Sequence, residues 1–372
     1  MKSVLIIATS NLKNDPRVYR QLTCLNKAYK ITAIGSDSPD LYNVFFIPLV
    51  HRGTLITKIK SALMLLTGQF EKYYWSRGYI ENILIDVKER NFDFIIANDL
   101  ITLPIALKIS DGKSRVIFDA HEYAPKEFED RWNWRLFFQK YNHYLCQSYL
   151  HKADAMMTVC RGISDEYERE YSVKSVVVTN APPYQSLAPS LVEDNMIRMI
   201  HHGAAIPSRH LENMIQMMDY LDDRFHLDFM LVASNSSYLN KLKKLATHNS
   251  RIRFIDPVAM QAIPETCNRY DLGVFLLPPV NFNYAHALPN KIFEFIQARL
   301  GVVIGPSLEM QKIVNKYDCG VVAADFNPQS LAESLTHLTA ERIRYFKQQS
   351  HIAARELCAE HNAQIIRTLI EG

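Results

Sequence analysis

The sequence has 372 residues, enough for two ordinary domains that each bury a core. Its 48% hydrophobic and 22% charged residues are typical of a soluble globular protein, and the formal charge of +3 is too small to predict a nucleic-acid partner. The six cysteines lack paired spacing, which argues against a zinc site or a disulfide framework and favours a reducing cytosol. No stretch is apolar over the roughly 18 residues of a membrane span, and the apolar start of the chain predicts a first strand rather than a signal peptide.

The first half of the chain alternates short apolar strands with helices, the pattern of a doubly wound α/β domain. The predicted strands span residues 4–8, 31–34, 44–48, 94–97, 116–119, 156–159 and 176–179. The predicted helices span residues 17–28, 55–66, 79–90, 134–151 and 163–170. Three prolines and little periodicity mark residues 181–196 as an interdomain linker.

A second α/β pattern follows the linker. Its predicted strands span residues 199–201, 229–232, 252–255, 272–277 and 302–304. Its predicted helices span residues 211–221, 237–247, 264–268 and 290–300, and residues 330–338 and 341–370 are predicted to be largely helical. We therefore predict an α/β protein with two Rossmann-like doubly wound domains, residues 1–180 and 197–350, that face each other across a cleft. Residues 351–372 are predicted to be helical, and packing back on the N-terminal domain is one option for them.

Polar residues follow three of the predicted strands in the first half. They lie in the turn 9–17, at the pair Asn98-Asp99 and at the pair His121-Glu122. Since ligands bind at the carboxyl ends of parallel strands, these positions are site candidates. An imidazole there offers both a donor and an acceptor. The alternative is a structural role: Asp15 is a plausible N-cap, and Asn98-Asp99 could cap the helix that follows.

The segment 270–306 predicts a strand, a loop, a helix and a second strand. The first turn of its helix carries Asn290, Lys291 and Glu294. A helix N-terminus with a lysine suits phosphate, and a carboxylate one turn further suits sugar hydroxyls. Arg209, in the turn 203–209, has the bidentate geometry for a diphosphate. Taken singly, each of these residues could instead face water on an amphipathic helix or on the surface.

Two stretches are both basic and aromatic, residues 58–77 and 131–152. Either could lie on an anionic membrane surface, with Trp and Tyr at the headgroup level and Lys and Arg on phosphates. The alternative is a surface helix whose aromatic face packs on the core. We favour that alternative for the second stretch and leave the two interpretations equal for the first.

The chain also resembles the retaining, nucleotide-sugar-dependent glycosyltransferases of the GT-B fold, family four. The similarity runs along nearly the whole chain and depends on the order and spacing of six segments. These are Asn-Asp-Pro-Arg-Val at 14–18, Phe-Asp-Ala-His-Glu at 118–122, Thr-Val-Cys-Arg-Gly-Ile at 158–163, His-Gly-Ala-Ala-Ile-Pro-Ser-Arg at 202–209, Leu-Pro-Asn-Lys-Ile-Phe-Glu at 288–294 and Glu-Met-Gln-Lys-Ile-Val at 309–314.

The resemblance implies roles for single residues. Glu294 matches the family's ribose-binding glutamate, while His286 stands where the family has another glutamate, for the donor sugar. Arg209 matches a basic residue on the donor diphosphate, Ala204 takes the place of a second one, and Lys291 is the candidate to replace that charge. His121 matches the histidine that contacts the transferred sugar. The implied donor-binding set is Gly203, Arg209, His286, Leu288, Asn290, Lys291 and Glu294. The acceptor-side set is Asn14, Asp15, Arg17, Asn98, Asp99 and Glu122.

These implications predict an enzyme that transfers a sugar from a nucleoside diphosphate sugar with retention of configuration. The acceptor would be a glycan or a lipid-linked oligosaccharide in cell-surface polysaccharide synthesis. No metal or other cofactor is expected, because His121, Arg209 and Lys291 form the catalytic set and two of them can stabilise the leaving diphosphate. The expected location is the cytoplasm, with peripheral attachment to the inner face of the membrane as an option. Two other functions stay open: a silent nucleotide-sugar-binding scaffold subunit and a nucleotide-sugar 2-epimerase.

Overall fold

The structure is a computed structural model that describes residues 1–50 and 55–372. It divides the chain into two compact units. The first contains residues 1–179, 281–283 and 362–372, and the second contains residues 180–280 and 284–361. Each unit is built on its own parallel sheet with helices, so each can be described by itself.

The sheet of the first unit has seven parallel strands in the order β3-β2-β1-β4-β5-β6-β7. They are β1 (Ser3–Ile7), β2 (Lys30–Gly35), β3 (Val44–Pro48), β4 (Phe94–Asn98), β5 (Arg115–Ala120), β6 (Ala155–Thr158) and β7 (Val176–Val177). The order reverses between β1 and β4, and such a switch point opens a crevice at the carboxyl ends of the strands.

The helices of the first unit connect these strands. They are α1 (Pro16–Leu25), α2 (Leu55–Leu66), α3 (Phe70–Trp75), α4 (Gly78–Val87), α5 (Leu103–Ser110), α6 (Trp132–Trp134), α7 (Lys140–Tyr149) and α8 (Arg161–Tyr171). Helix α1 begins as the sequence predicts, because Pro16 occupies its first turn and the Asp15 carboxylate accepts from the amides of Arg17 and Val18 at 3.0 and 3.2 Å.

The sheet of the second unit has six parallel strands in the order β10-β9-β8-β11-β12-β13. They are β8 (Ile197–Ala204), β9 (Phe225–Val232), β10 (Ile252–Ile255), β11 (Leu272–Phe275), β12 (Gly301–Ile304) and β13 (Gly320–Val322). Here the switch point lies between β8 and β11. Strands β11 and β12 are buried along their whole length, which is why their sequence is a continuous apolar run rather than an alternating one.

The remaining helices follow in chain order. They are α9 (Glu212–Met217), α10 (Ser236–Ala246), α11 (Ile263–Cys267), α12 (Phe282–Ala285), α13 (Asn290–Gln297), α14 (Met310–Tyr317), α15 (Pro328–Thr336), α16 (Ala340–Ala353) and α17 (Ala359–Glu371). Within α17, Ile366 and Ile370 are 5% and 0% exposed and belong to the core of the first unit. Burying each of these side chains is worth about 1.5–3 kcal/mol.

Residues 341–370 are largely helical, as predicted, and they form two helices. The chain leaves the helix after Ala353 and starts α17 at Ala359. The fully buried side chain of Gln297 donates to the carbonyls of Ala354 and Leu357 at 2.7 and 3.0 Å, so backbone acceptors freed by the break are satisfied. The contact that stabilises this turn therefore comes from a residue distant in sequence, and local periodicity could not reveal it.

The predicted helix 134–151 is also interrupted. A five-residue π-helical segment, Arg135–Gln139, separates α6 from α7. Helices α3 and α5 are additions to the sequence prediction, which assigned no element to their residues. Within the part of the chain that the structure covers, none of the helices is long and apolar enough to cross a membrane.

Candidate functional site

Both units gather polar side chains at the switch points of their sheets. In the second unit these residues lie at or after the end of β8 and in the N-terminal half of α13, and in the first unit they lie at or after the ends of β4 and β5. The structure thus brings together residues that are far apart in sequence, at the sheet edges where ligands bind in this class of fold. The two sets are described in turn.

In the second unit, Lys291 lies directly against Gly203, the last residue but one of β8. A Cβ atom placed on Gly203 would lie 2.6 Å from Lys291 Cε, 2.7 Å from Lys291 Nζ and 3.9 Å from Arg209 Nη1. Gly203 also has φ +126°, a conformation that other residues rarely adopt. The glycine therefore makes room for a lysine, and the two cations of the predicted donor set converge on one point.

Lys291 is buried, and among the described residues Glu294 is the carboxylate that acts on its ammonium. The residue is 7% exposed, and its Nζ lies 4.9 Å from the centre of the Phe275 ring. Burial and the charge of Arg209 lower the pKa of Lys291 to about 7, although Glu294 opposes the change. An anion placed beside Lys291 and Arg209 would remove this penalty, so the geometry and the electrostatics both suit a phosphate.

Glu294 lies one turn along α13 and is 4% exposed. Its carboxylate is 3.5 Å from Nε2 of His202, a β8 residue that is 3% exposed. Burial, followed by the charge of Lys291, lowers the pKa of His202 to about 3, so this imidazole is neutral. Its ring also packs edge-on against Phe295 at 5.3 Å. His202 was missed as a site residue because nothing in the sequence relates it to Glu294.

The other predicted donor residues lie close to Lys291 in the sequence, and their side chains differ in solvent exposure. Leu288 is 9% exposed, while His286 and Asn290 are partly buried on either side of it, in the segment that leads into α13. Ala204 accepts a hydrogen bond from Arg209 Nη1 through its carbonyl at 3.3 Å. Arg209 is thus held over the end of β8, next to the position where the family pattern has a second basic residue.

In the first unit a chain of alternating charges runs beneath the switch point. Asp119 is fully buried and receives hydrogen bonds from Arg17 Nε at 2.7 Å, from Arg17 Nη2 at 2.5 Å and from the amide of Gln21. Arg17 is 5% exposed and also donates to the Val178 carbonyl at 2.7 Å. Burial alone would raise the pKa of Asp119, but Arg17 and His121 hold it at about 2. Arg17, predicted on the acceptor side, is therefore buried in an ion pair.

His121 continues this chain of charges. Its Nε2 lies 3.1 Å from Asn98 Oδ1 and 3.6 Å from Asp119 Oδ2, and its Nδ1 lies 3.4 Å from Asp99 Oδ1. Burial by itself would lower the pKa of His121, but the Asp99 and Asp119 carboxylates outweigh it and raise the pKa to about 9. His121 is therefore an imidazolium at neutral pH, and both ring nitrogens face oxygen atoms.

Asp99 has an unusual backbone conformation at the end of β4, with φ +65° and ψ 151°. This region is nearly restricted to glycine and costs about 1–3 kcal/mol, and such outliers cluster at functional sites. The Asp99 side chain is 43% exposed and stays beside His121. Burial raises the pKa of Asp99, while the positive charge of His121 opposes the rise.

The remaining acceptor-side candidates differ in exposure. Asn98 is fully buried and supports His121, whereas Asn14 and Glu122 are exposed. Asp15 caps α1 and accepts a hydrogen bond from Ser10 Oγ at 2.6 Å, in agreement with the structural alternative weighed for it. Across residues 1–50 and 55–372, no group of three or more His, Cys, Asp or Glu side chains is arranged to hold a metal ion.

No protein-family model matches the sequence, and no curated protein matches it significantly. Solved structures do match. Sucrose-phosphate synthase from Thermosynechococcus elongatus has a TM-score of 0.76 and 10% identity, with 100% of this chain and 98% of that chain covered. HepE from Anabaena, solved with UDP and glucose, has a TM-score of 0.73 and 11% identity, with 100% of both chains covered. WaaG, a glycosyltransferase involved in lipopolysaccharide biosynthesis, has a TM-score of 0.64 and 11% identity, with 98% of this chain and 99% of that chain covered.

These similarities, with the two parallel sheets of seven and six strands, show the fold of the chain. It is the GT-B fold of the glycosyltransferases, and the prediction of two Rossmann-like α/β sheets is confirmed. Identities near 10% establish the fold alone.

Proposed function

We propose that the chain is a retaining glycosyltransferase that needs no metal. It would move a sugar from a nucleoside diphosphate sugar to a glycan or lipid-linked acceptor in the synthesis of a cell-surface polysaccharide. The observation that carries this proposal is the convergence of Arg209 and Lys291 on Gly203 at the switch point of a GT-B sheet. A buried ammonium such as that of Lys291 is costly, and a diphosphate is a ligand that would compensate it together with the neighbouring Arg209.

The donor would bind to the second unit through three kinds of contact. Arg209 would make bidentate hydrogen bonds to the diphosphate, and Lys291 and the N-terminal turn of α13 would add charge and dipole. Glu294, held beside His202, would accept hydrogen bonds from the ribose hydroxyls. Gly203 would leave room for the Lys291 side chain beside the diphosphate. His286, Leu288 and Asn290 complete the proposed donor set as neighbours of that turn.

The proposed reaction occurs on one face of the sugar. The bond between the anomeric carbon and the diphosphate oxygen breaks, and its electron pair stays on that oxygen. The acceptor oxygen bonds to the same face of the anomeric carbon, and the acceptor's hydroxyl proton moves to the departing phosphate. Arg209 and Lys291 would stabilise the negative charge that develops on the leaving group. The imidazolium of His121, whose ring nitrogens already face protein oxygen atoms, would orient the sugar through its positive charge rather than act as a base.

A thermal-shift assay with UDP, GDP, ADP, CMP and their sugars tests the donor half of this proposal. A ligand that binds only the folded state raises the melting temperature by mass action. We expect one nucleotide to stabilise the wild type and to lose most of that effect in Glu294→Ala. The matched control is Glu333→Ala, at an exposed acidic position on α15 that should leave the shift unchanged.

The outcomes separate the alternatives. If no nucleotide shifts the melting temperature, the transferase proposal is wrong. Binding without consumption of the matching sugar nucleotide, with or without added glycan acceptors, would favour a silent scaffold subunit. Conversion of the sugar nucleotide to an epimer without an acceptor would favour a 2-epimerase.

We also propose that the first unit associates with an anionic membrane surface. Helix α2 carries three apolar residues that are more than half exposed, Ile59, Leu63 and Leu66, and Lys58 and Lys60 flank them. An exposed apolar stripe with neighbouring lysines is typical of a helix that lies in the lipid interface. In the stretch 131–152, α7 instead buries Tyr141, Leu145, Cys146 and Tyr149, which supports the packing interpretation for that helix.

Flotation with phosphatidylglycerol vesicles tests this second proposal. The wild type should float at low salt and less so at high salt, and the triple variant Lys58→Ser, Lys60→Ser, Lys72→Ser should not float. Leu63→Ser should weaken flotation at every salt concentration. Equal recovery with neutral and anionic vesicles, or none at all, would rule out the charged surface.

A further inference from the structure

A cavity of about 350 Å³ opens in the first unit beside His121. Its wall combines two kinds of side chain. One part is acidic and contains Asp99, Glu122 and Glu127, and the other part is aromatic. The cavity lies at the carboxyl ends of β4 and β5, the sheet edge at which ligands bind in this class of fold. All of the residues that form this cavity belong to the first unit.

The aromatic part of the wall consists of Tyr73, Trp134, Phe138 and Tyr141. Tyr73 and Tyr141 pack edge to face with ring centres 5.0 Å apart, and Trp134 packs edge to face on Phe128 at 6.2 Å. These contacts fix the rings before any ligand arrives. Aromatic rings offer apolar surface to a sugar ring, and their faces attract cations.

The charge of the cavity is negative. Among the described lining residues, His121 is the single basic side chain, and Asp99 and Asp119 already surround it. Asp119 is in turn paired with Arg17. Arg77 lines a neighbouring cavity, where it donates to the Tyr141 hydroxyl at 2.5 Å and lies 5.3 Å from the centre of the Tyr73 ring. The cations named here are thus already engaged, and three carboxylates line the cavity.

Glu127 is a carboxyl group of this wall whose charged neighbours, Glu122 and Asp99, are also acidic. Its carboxyl group has no hydrogen bond or ion pair with another side chain in residues 1–50 or 55–372. Burial, and then the charges of Glu122 and Asp99, raise the pKa of Glu127 to about 8. Glu127 is therefore largely protonated at neutral pH, and a cation placed beside it would favour the carboxylate form, with release of a proton.

We propose that this cavity is an acceptor subsite for a sugar residue with a protonated amino group, and that Glu127 determines the specificity. The ring of the amino sugar would lie against the aromatic wall, and its ammonium would pair with Glu127 beside Asp99 and Glu122. The inference deepens the proposed transferase function and depends on it. It adds the chemical class of the acceptor, since carboxylates and aromatic faces together recognise ammonium groups.

Ligand-observed NMR titration of the full chain at pH 6.5 tests the subsite. The probes are methyl glucosaminide, methyl glucoside and methyl glucuronide, which are cationic, neutral and anionic. We expect the glucosaminide to bind about tenfold tighter than the glucoside, and the glucuronide to bind most weakly. In Glu127→Gln the advantage of the glucosaminide over the glucoside should largely disappear, while the affinity for the glucoside stays within about twofold.

Two controls make the result specific. Glu89→Gln removes an exposed carboxylate at the end of the helical region after α4 and should change none of the affinities. The nucleotide-dependent melting shift, measured on the same samples, shows that the variant is folded and that its donor site is intact. Glu122→Gln, an exposed position, serves as a second variant if Glu127→Gln is unstable, and it should reduce the preference by a smaller factor.

The outcomes distinguish failure of the amino-sugar subsite from failure of the proposed transferase function. If nucleotides bind but the three glycosides bind equally, or the glucuronide binds best, or none binds, the amino-sugar subsite is wrong and the transferase proposal stands. If no nucleotide binds, the transferase proposal fails. The cavity would then lose its role as an acceptor subsite, whatever its preference among glycosides.

Discussion

The two units place opposite charges at equivalent positions of similar sheets. In the second unit, Arg209 and the buried Lys291 are incompletely neutralised, and the nearby His202 is uncharged. In the first unit, Arg17, Asp119, His121 and Asp99 alternate in sign, and further carboxylates line the cavity above them. The edge of such a sheet can therefore hold either positively or negatively charged side chains. Side chains from distant parts of the chain decide which ligand is favoured, and four variants test this contrast between the two units.

The largest expected effect concerns the first unit, where Arg17 neutralises the buried Asp119. Arg17→Met leaves the Asp119 carboxylate buried without its main partner, so the free energy of unfolding in urea should fall by about 3–5 kcal/mol. The double variant Arg17→Met, Asp119→Leu should recover most of this loss, because both charges are gone. A single-variant loss below about 1 kcal/mol would contradict the charge chain described above.

The next effect is a dependence of stability on pH. His121 has a pKa of about 9 in the folded protein and about 6.5 when unfolded, so the folded state binds more protons between these values. Its contribution to stability is complete below pH 6.5 and is lost as the pH rises to 9, by roughly 3 kcal/mol at most. In His121→Gln the free energy of unfolding should change less across this window. Equal slopes for the two proteins would show that His121 is not held as an imidazolium.

On the cationic side, Lys291→Met should weaken binding of the nucleotide about a hundredfold without lowering the melting temperature. The ligand loses a charged partner, whereas the free protein is relieved of a buried ammonium. Calorimetry at pH 8 in buffers of different ionisation enthalpy should also show proton uptake on binding to the wild type, because the diphosphate favours the charged lysine.

The control for this variant is Lys244→Met, on the exposed side of α10. It should leave both the affinity and the proton uptake unchanged. An affinity in Lys291→Met within threefold of the wild type would remove Lys291 from the diphosphate site and leave Arg209 as its main cation.

The smallest expected effect belongs to His202, which we expect to position Glu294. In His202→Phe the affinity for the nucleotide should fall about tenfold, while the affinity for inorganic pyrophosphate, which has no ribose, should be unchanged. His202→Gln, which keeps a polar atom near Glu294, should recover part of the loss. A parallel loss for pyrophosphate would point to a general structural role.

The sequence allowed the prediction of features whose cause is local. Apolar runs such as those of β11 and β12 predict buried strands, and Asp15 with Pro16 predicts the start of α1. Because parallel strands share one edge, the polar residues after β4, β5 and β8 could also be predicted to meet a ligand there. The GT-B fold follows from these elements together with the order of the six similar segments.

Features that depend on distant contacts could not be predicted. Arg17 and Asp119 are 102 positions apart, so the turn that contains Arg17 gave no sign that its guanidinium would be buried in an ion pair. His202 meets Glu294, and Gly203 accommodates Lys291, only after two strands and a helix have packed. Glu127 was overlooked for the same reason, because its chemistry arises from the burial and the two carboxylates around it.

The place of residues 362–372 in the first unit has a consequence for biosynthesis. A ribosome makes the chain from its N-terminus, so residues 1–179 emerge long before Ile366 and Ile370, which complete their core. The first unit must wait in an incomplete form while the whole of the second unit is translated. Chains that are truncated within α17 should therefore be recognised by proteases through an exposed apolar groove, even though every strand of both sheets has been made.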